Sequence, residues 1–295
     1  MDVPVVSAIV PTHNRAALLA RAIRSIQGQT FPHLEIIVVD DASQDNTREV
    51  VESFNDPRIR YIRHDANRGG SAARNTGIRA ATGDFIAFLD DDDEWEPNKT
   101  EEQLKVIQDH DAVTCTSIPT PKDLSTLNSR KTVELDDLLQ GKFTWGGTGV
   151  LLAKANVLKQ TMFDESLPRY QDWDLFIRLA MKHKIAYLNK PLVRSNSGTH
   201  LRITNSIRNL TISELEQRFR MLHKHKHLFG TRLFRRHMCN GLLYGIGSRS
   251  DRFALLRYTV RRYGLTNVLR ALAIRLVVKL RQSLVSRIMA NRVGF

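Results

Sequence analysis

Cysteine is nearly absent: Cys115 and Cys239 are the only two in 295 residues. That excludes a disulfide framework and a thiolate metal cluster, and it suits a reducing compartment. Long apolar runs are missing too. No uninterrupted segment approaches the roughly 20 residues that cross a bilayer. The opening "MDVPVVSAIVPTH" carries an acidic second residue and a short apolar run ending at Pro11, which reads as a first strand and not as a signal peptide. Neither a GxGxxG turn nor a GK[ST] phosphate loop occurs, so dinucleotide chemistry and P-loop hydrolysis are poorly served. No internal repeat or long low-complexity stretch appears. What is present, 42% apolar and 25% charged residues, describes an ordered globular chain.

Acidic residues run out toward the C-terminus. Residues 201–295 hold 20 Lys and Arg against 3 Asp and Glu, a net charge of +17, whereas residues 1–200 hold 24 against 28, a net of −4. This predicts a body spanning residues 1–205 joined to a basic helical extension, 206–295. In "GLTNVLRALAIRLVVKLRQSLVSRIM", Leu265, Val268, Leu269, Leu272, Leu276, Leu280, Leu284 and Ile288 recur near one helical face, with arginines and lysines between. Such a helix packs on the body, pairs with a second copy in a homodimer, or lies on an anionic membrane. Nucleic acid is the weakest option, since no regular aromatics are interleaved for base stacking. "HKHKH", residues 223–227, places its histidines at alternate positions that share no single helical face, so a solvated surface is expected there, not a metal site.

The body alternates. "VVSAIV", "LEIIVV", "RIRYIR" and "DFIAFL" read as strands, separated by a helix after Asn14 with Leu18, Leu19, Ala22, Ile23 and Ile26 at helical spacing, a helix from Ser43 to about Phe54, and one from about Ser71 to Ala81. Asn14 and Ser43 are placed to cap the first two helices. Near-continuous apolar strands alternating with helices predict an α/β fold, a mostly parallel sheet covered on both faces. Further on come a helix after Pro97, the strand "AVTCTSI", a small helix in "TVELDDLLQG", and a helix from about Gln171 or Asp172; "IAYLNKPLVRSN" reads as a late strand pair. Ligands of such sheets sit beyond the carboxyl ends of the strands. Pro11–Asn14, Asp40–Asp41 and Asp90–Asp93 all fall there.

The run "FLDDDDEW" is the sharpest clue. Four adjacent carboxylates at the end of a buried strand repel one another unless water or a cation relieves them. Oxygen ligands with open positions suit Mg²⁺ or Mn²⁺. On an extended backbone Asp90 and Asp92 point the same way, while Asp91 and Asp93 face elsewhere, toward Arg74 or a backbone turn. Asp41 is placed to accept a hydrogen bond from a base N–H, with Asp40 securing its turn. Asp172, at the start of a helix whose dipole favours its ionised form, can take a proton from a hydroxyl.

Together "VSAIVPTHNR", "IIVVDDASQDNT", "NRGGSAARNTGIRAATGDFIAFLDDDDEWEPNK" and "YQDWDLFIRL" closely resemble glycosyltransferase family 2 over about residues 5–200. The resemblance implies a GT-A fold (Rossmann-like) and an inverting, metal-dependent enzyme. It implies a nucleoside-lining role for Pro11, Thr12 and Asn14, uracil recognition by Asp41, and nucleotide contact by Arg74 and Asn75. Asp90, Asp91 and Asp92 fall in the donor-binding DXD segment, with Asp92 the direct metal ligand and Asp93 beside the donor sugar. Asp172 matches the general base. Gln171 stands where the family usually has glutamate, which removes a nearby negative charge. "WGGTG" matches an acceptor-side segment, giving Trp145, Gly146 and Gly147, with Gln171 and Trp173, as acceptor contacts; Trp145 offers a flat face for a sugar ring. His200 and Arg202 match a late histidine at the metal and a cation for the departing diphosphate.

The expected activity is transfer of a sugar from a UDP-sugar to a hydroxyl of a glycan or lipid-linked oligosaccharide acceptor, in bacterial O-antigen, capsule or exopolysaccharide synthesis. The basic tail places it at the cytoplasmic face of the inner membrane, in peripheral contact with anionic lipid. The rivals are a sugar nucleotidyltransferase, which would want a glycine- and basic-rich loop where "PTHNRAALL" stands, and a non-catalytic sugar- or nucleic-acid-binding protein.

Overall fold

The computed structural model describes residues 5–118, 132–141, 147–196 and 210–290, with side chains as far as residue 277. Two compact units divide it, one within residues 1–198 and one within 199–295.

The first unit is built on strands β1 (Val6–Thr12), β2 (Leu34–Asp40), β3 (Ile59–Arg63), β4 (Phe85–Phe88), β5 (Glu94–Trp95), β6 (Ala112–Ile118), β7 (Leu151–Lys154) and β8 (Ile185–Arg194). Its helices are α1 (Ala16–Gln27), α2 (Thr47–Glu52), α3 (Gly70–Ala80), α4 (Lys99–Ile107), α5 (Leu135–Leu139), α6 (Ala155–Thr161) and α7 (Gln171–Ala180). The strands form one sheet in the order β3-β2-β1-β4-β7-β6-β8-β5. Burial on both faces explains the apolar strands: Val6, Ala8, Ile9, Val10 and Ile36 through Val39 are all inaccessible to water.

The sheet is mostly parallel, as expected, but mixed, because two strands run against the rest. β3, β2, β1 and β4 pair in parallel, but β7 is antiparallel to both β4 and β6, and β5 is antiparallel to β8. The two reversed strands share a cause: each starts at the edge where its neighbours end. β5 follows directly from the aspartate run, and β7 follows a 3-10 turn at Gly147–Val150. The expected late strand pair is a single strand. Opposite Thr114 and Thr116, the partner on β8 jumps from Tyr187 to Pro191. Pro191 has no N–H to give the ladder, so the strand bulges instead of turning back.

The capping expectations are corrected as well. Asn14 adopts a left-handed φ of 53° and does not cap α1. Instead the Ala16 N–H donates to Asp45 Oδ2 at 3.0 Å. Ser43 lies ahead of α2 and accepts from the Asn14 N–H at 2.9 Å, while Asn14 Oδ1 accepts from the Gln44 N–H at 2.7 Å. The loops after β1 and β2 are thereby tied into one ledge. At the opposite edge Glu35 Oε1 gathers the Thr82 and Gly83 amides, 2.6 and 2.9 Å away, and the Ser7 hydroxyl. Burial alone would raise its pKa, but these donors outweigh it and hold the carboxyl below its ordinary value.

The second unit is helical: α8 (Ile212–Gln217), α9 (Arg220–Lys224), α10 (Lys226–Leu242), α11 (Arg252–Tyr263) and α12 (Leu265–Ala290). A capping box of Thr211 and Glu214 starts α8, and Gly230, at φ 62°, breaks α10. Met221, Phe234, Met238, Leu242, Leu255 and Val268 form its core. The single apolar face expected for α12 divides in two: Val268 and Ala271 are buried, whereas Leu265, Leu269 and Leu276 are exposed. Of the histidines expected on a solvated surface, His223 and His227 are exposed, but His225 is buried. Among the described residues no helix is long and apolar enough to cross a membrane.

Candidate active site

The strands β1, β2 and β4 all deliver their carboxyl ends to one edge of the first unit. After β4 the chain does not stay extended. The Asp93 N–H donates to the Asp90 carbonyl at 3.0 Å, a tight turn that corrects the expected alternation of the four aspartates. Asp93 returns beside Asp90 and Asp92, so that one oxygen of each lies within 4.8 Å of the others. Asp91 alone turns away. It is buried, accepting from Thr12 Oγ1 at 2.8 Å and from Arg15 Nη1 at 3.0 Å. Arg74 pairs with neither Asp91 nor Asp93 but with Asp90 Oδ1, at 2.5 Å.

Electrostatics mark the trio as unfinished. Burial first, then the charges of Asp90 and Asp92, push the Asp93 carboxyl up to about 7, although the Asn196 N–H stabilises its ionised form. Burial also lifts Asp91 to about 6, against the pull of Arg15. Three hard oxygen donors at this spacing, crowded and partly buried, fit a divalent ion such as Mg²⁺ or Mn²⁺.

The remaining candidates sort clearly. Pro11 and Thr12 close β1 and are buried against the ledge that Asn14 builds. Asp40 secures its turn, accepting from the Ser43 N–H at 2.8 Å. Asp41 is buried, and both of its oxygens are already engaged: Oδ1 with the Arg68 N–H at 2.8 Å and His64 Nδ1 at 2.8 Å, Oδ2 with the Gly69 N–H at 2.7 Å. It fastens the turn into α3, where Gly69 takes a φ of 86°. Asn75 does not face the cleft beside Arg74. Its amide clamps the Phe163 backbone, accepting at 2.7 Å and donating at 2.9 Å, and donates to Glu165 at 2.8 Å. Arg74 is steadied by the Phe163 ring, 5.6 Å from its guanidinium carbon.

Asp172 lies in the first turn of α7 and is half-buried. Burial raises its pKa. The Trp173 N–H and the Arg74 charge oppose that shift, and the Asp90 charge adds to it. The candidate base therefore feels the charges of both members of the Arg74–Asp90 pair. Gly147 joins them: at φ 58°, a Cβ there would stand 3.8 Å from Asp90 Oδ2. Gln171 donates to the Leu167 carbonyl at 2.8 Å. Trp173 is packed, its indole N–H donating to the Leu138 carbonyl at 2.8 Å. Trp145, Gly146, His200 and Arg202 lie outside the described residues.

Four residues join the site without having been singled out in the sequence. Arg15 bridges Asp91 and Asp92, His64 holds Asp41, Phe163 lies under Arg74, and Asn196 meets Asp93. Arg15 and His64 each sit at a strand end, in "THNR" and "IRHD", which was a signal available to find them.

The comparisons with known proteins agree with this geometry. An Escherichia coli UDP-Glc:alpha-D-GlcNAc-diphosphoundecaprenol beta-1,3-glucosyltransferase, WfgD, is 42% identical over 107 residues, which is 36% of this chain and 42% of that protein. A Campylobacter jejuni GalNAc(5)-diNAcBac-PP-undecaprenol beta-1,3-glucosyltransferase is 49% identical over 94 residues, 31% of this chain and 30% of that protein. The matched stretches thus span less than half the length of either relative. Among solved structures, Staphylococcus aureus TarS 1-349 with UDP-GlcNAc superposes at a TM-score of 0.63, with 18% identity and 90% of both chains covered. The Pyrobaculum calidifontis mannosyltransferase PcManGT with GDP-Man and Mn²⁺ gives the same TM-score at 21% identity, covering 94% of this chain and 81% of that one. At such identities the two structures speak for the fold alone. The model of Glycosyl transferase family 2 matches residues 7–166, more than half of the sequence and all of the acid turn with its supporting strands, and the chain belongs to that family.

Proposed function

We propose that the protein moves one sugar from a UDP-sugar to a hydroxyl of a glycan or lipid-linked oligosaccharide, in the synthesis of a bacterial surface polysaccharide. What supports this reading is that Asp172 lies within electrostatic reach of Arg74 and Asp90, and that Asp90 is both the partner of Arg74 and a member of the Asp90–Asp92–Asp93 trio. Asp90, Asp92 and Asp93 would hold the metal ion, which supplies charge neutralisation for the donor's diphosphate. Arg74 adds a fixed cation beside it. Asp172 orients the acceptor hydroxyl and accepts its proton as the new bond to the anomeric carbon forms and the bond to the UDP oxygen breaks. A single displacement of this kind inverts the anomeric centre and needs no covalent enzyme intermediate.

Donor and acceptor class are supported by the two glucosyltransferases above, whose names specify an undecaprenyl-borne acceptor and, in one, UDP-Glc. The basic second unit supports work at an anionic membrane, at the cytoplasmic face where such donors are made. The test is incubation of the purified protein with Mn²⁺, a panel of UDP-sugars and lipid-linked acceptors, followed by product mass analysis. A product heavier by one sugar is expected; release of free sugar only, with every acceptor unchanged, would refute transfer.

A further inference from the structure

The second unit contains a groove of about 650 Å³ between α10 and α12, well away in sequence from every residue of the acid turn. Its walls are apolar, from Leu233, Ala273 and Ile274, and its polar side is furnished by Arg232, Arg236 and Arg270. Val277, one turn beyond Ala273, continues the apolar wall and is exposed, as is Ile274. No acidic side chain lines the groove.

The basic segment is poor in acids: residues 201–295 contain three acidic side chains, and none of them lines the groove. Glu214 closes the capping box with Thr211, Glu216 accepts from the Tyr263 hydroxyl at 2.5 Å, and Asp251 accepts from Arg249 Nε and Nη2, each at 2.7 Å. Burial and the neighbouring Arg232 charge press the Arg236 guanidinium below its ordinary value, so these two like charges repel at the groove. An anion would relieve them.

We propose that this groove binds one anionic lipid, its phosphate held by Arg232, Arg236 and Arg270 and its chain laid along Leu233, Ala273 and Ile274. A phosphate is the group that guanidinium forks grip bidentately. An apolar wall beside them selects a phosphate that carries a hydrocarbon chain over a free one. The volume falls within the range of small-ligand sites and accommodates a headgroup with several methylenes. A second copy of the same unit would bring more positive charge, and a nucleic acid would find no exposed aromatic ring in the lining on which to stack. The inference sharpens the membrane contact proposed above, from diffuse attraction to a site for a single molecule.

The experiment needs neither donor nor acceptor. Full-length protein is floated with phosphatidylcholine vesicles with and without phosphatidylglycerol, and titrated with dihexanoyl phosphatidic acid or inorganic phosphate. The pair Arg232→Gln and Arg270→Gln is compared with Arg257→Gln and Arg261→Gln, which remove the same charge from exposed positions on α11. Diffuse attraction scales with the number of basic residues near the surface, so it weakens equally in both pairs. The groove variant is expected to lose about tenfold more vesicle affinity than the control, one further bidentate contact's worth. Ala273→Trp fills the groove at constant charge and is expected to abolish binding of the short-chain lipid, with melting temperature confirming that the variant is folded. Equal losses in the two pairs, unchanged short-chain binding in Ala273→Trp, or inorganic phosphate binding as tightly as the lipid would each overturn the site. Equal losses would leave the peripheral membrane contact and the transfer reaction standing.

Discussion

Adding one methyl group to α3 should disturb the active site from behind. Gly77 packs against Ile9 of β1, which is wholly buried. An alanine Cβ there would stand 3.1 Å from both Cγ1 and Cδ1 of Ile9, and nearer still to Cγ2, inside ordinary contact distance. Either Ile9 leaves its rotamer or α3 backs away from the sheet. Overpacking of this kind costs about 1–3 kcal/mol. Replacing glycine by alanine inside a helix returns about 1 kcal/mol, so the net destabilisation is up to about 2 kcal/mol. That is roughly 4–8 °C of melting temperature, at about 2–4 °C per kcal/mol for a large domain. Arg74 precedes Gly77 by one turn, so a retreat of α3 also stretches its 2.5 Å pair with Asp90 and should lower transfer activity. Thermal melts and a double-mutant cycle with Ile9→Ala check the reasoning. Ile9→Ala alone should cost about 2–5 kcal/mol, and adding Gly77→Ala to it should cost less than it does in the native chain. A Gly77→Ala protein more stable than the native one by the bare helix-propensity gain would refute the close contact.

Lys99 offers a test in pH. It is fully buried, its ammonium 4.1 Å over the Trp95 ring and donating to Gln103 Oε1 at 2.7 Å, and burial lowers its pKa to about 8. The unfolded chain, near the ordinary value of about 10.4, holds the proton more tightly, so stability rises as pH climbs from 8 toward 10.4, by about 3 kcal/mol for this group. Lys99→Met should therefore raise stability at pH 7 and flatten that slope in denaturant titrations; equal slopes in both proteins would contradict it. Asp41→Asn exchanges an oxygen acceptor for an NH₂ facing backbone donors at Arg68 and Gly69, and should cost about 1–3 kcal/mol while weakening donor binding. Unaltered melting with weakened UDP binding would show that Asp41 reads the base and does not fasten the turn.

Much of the first unit was legible because its signals are local. Apolar runs set β1, β2 and β4, and the acids at their ends fell at one edge because parallel strands place them there. The reversed strands were not legible. The direction of β7 is set by its pairing with β4 and β6, both of which end far upstream of Leu151 in the sequence. Within "DDDD" the alternation rule assumed an extended chain, and the turn between Asp90 and Asp93 changed which acids meet. Asn75 illustrates the converse. Its neighbour Arg74 reaches the acid turn, but one residue along a helix rotates a side chain by about 100°, and Asn75 faces Phe163 instead. In α12 the apolar positions were visible, but the division into buried Val268 and exposed Leu269 depends on which helices pack beside it.

The central claim is that Asp172 takes the acceptor's proton within the cleft that the acid trio shares. The direct measurement is the rate of sugar transfer by native protein and Asp172→Asn under saturating donor and Mn²⁺, with UDP affinity recorded on the same samples. Loss of a general base should slow transfer by about 10²–10⁴-fold and leave UDP affinity within a few-fold of native. Transfer at the native rate by Asp172→Asn, or undiminished native activity after every divalent ion is chelated, would contradict the account.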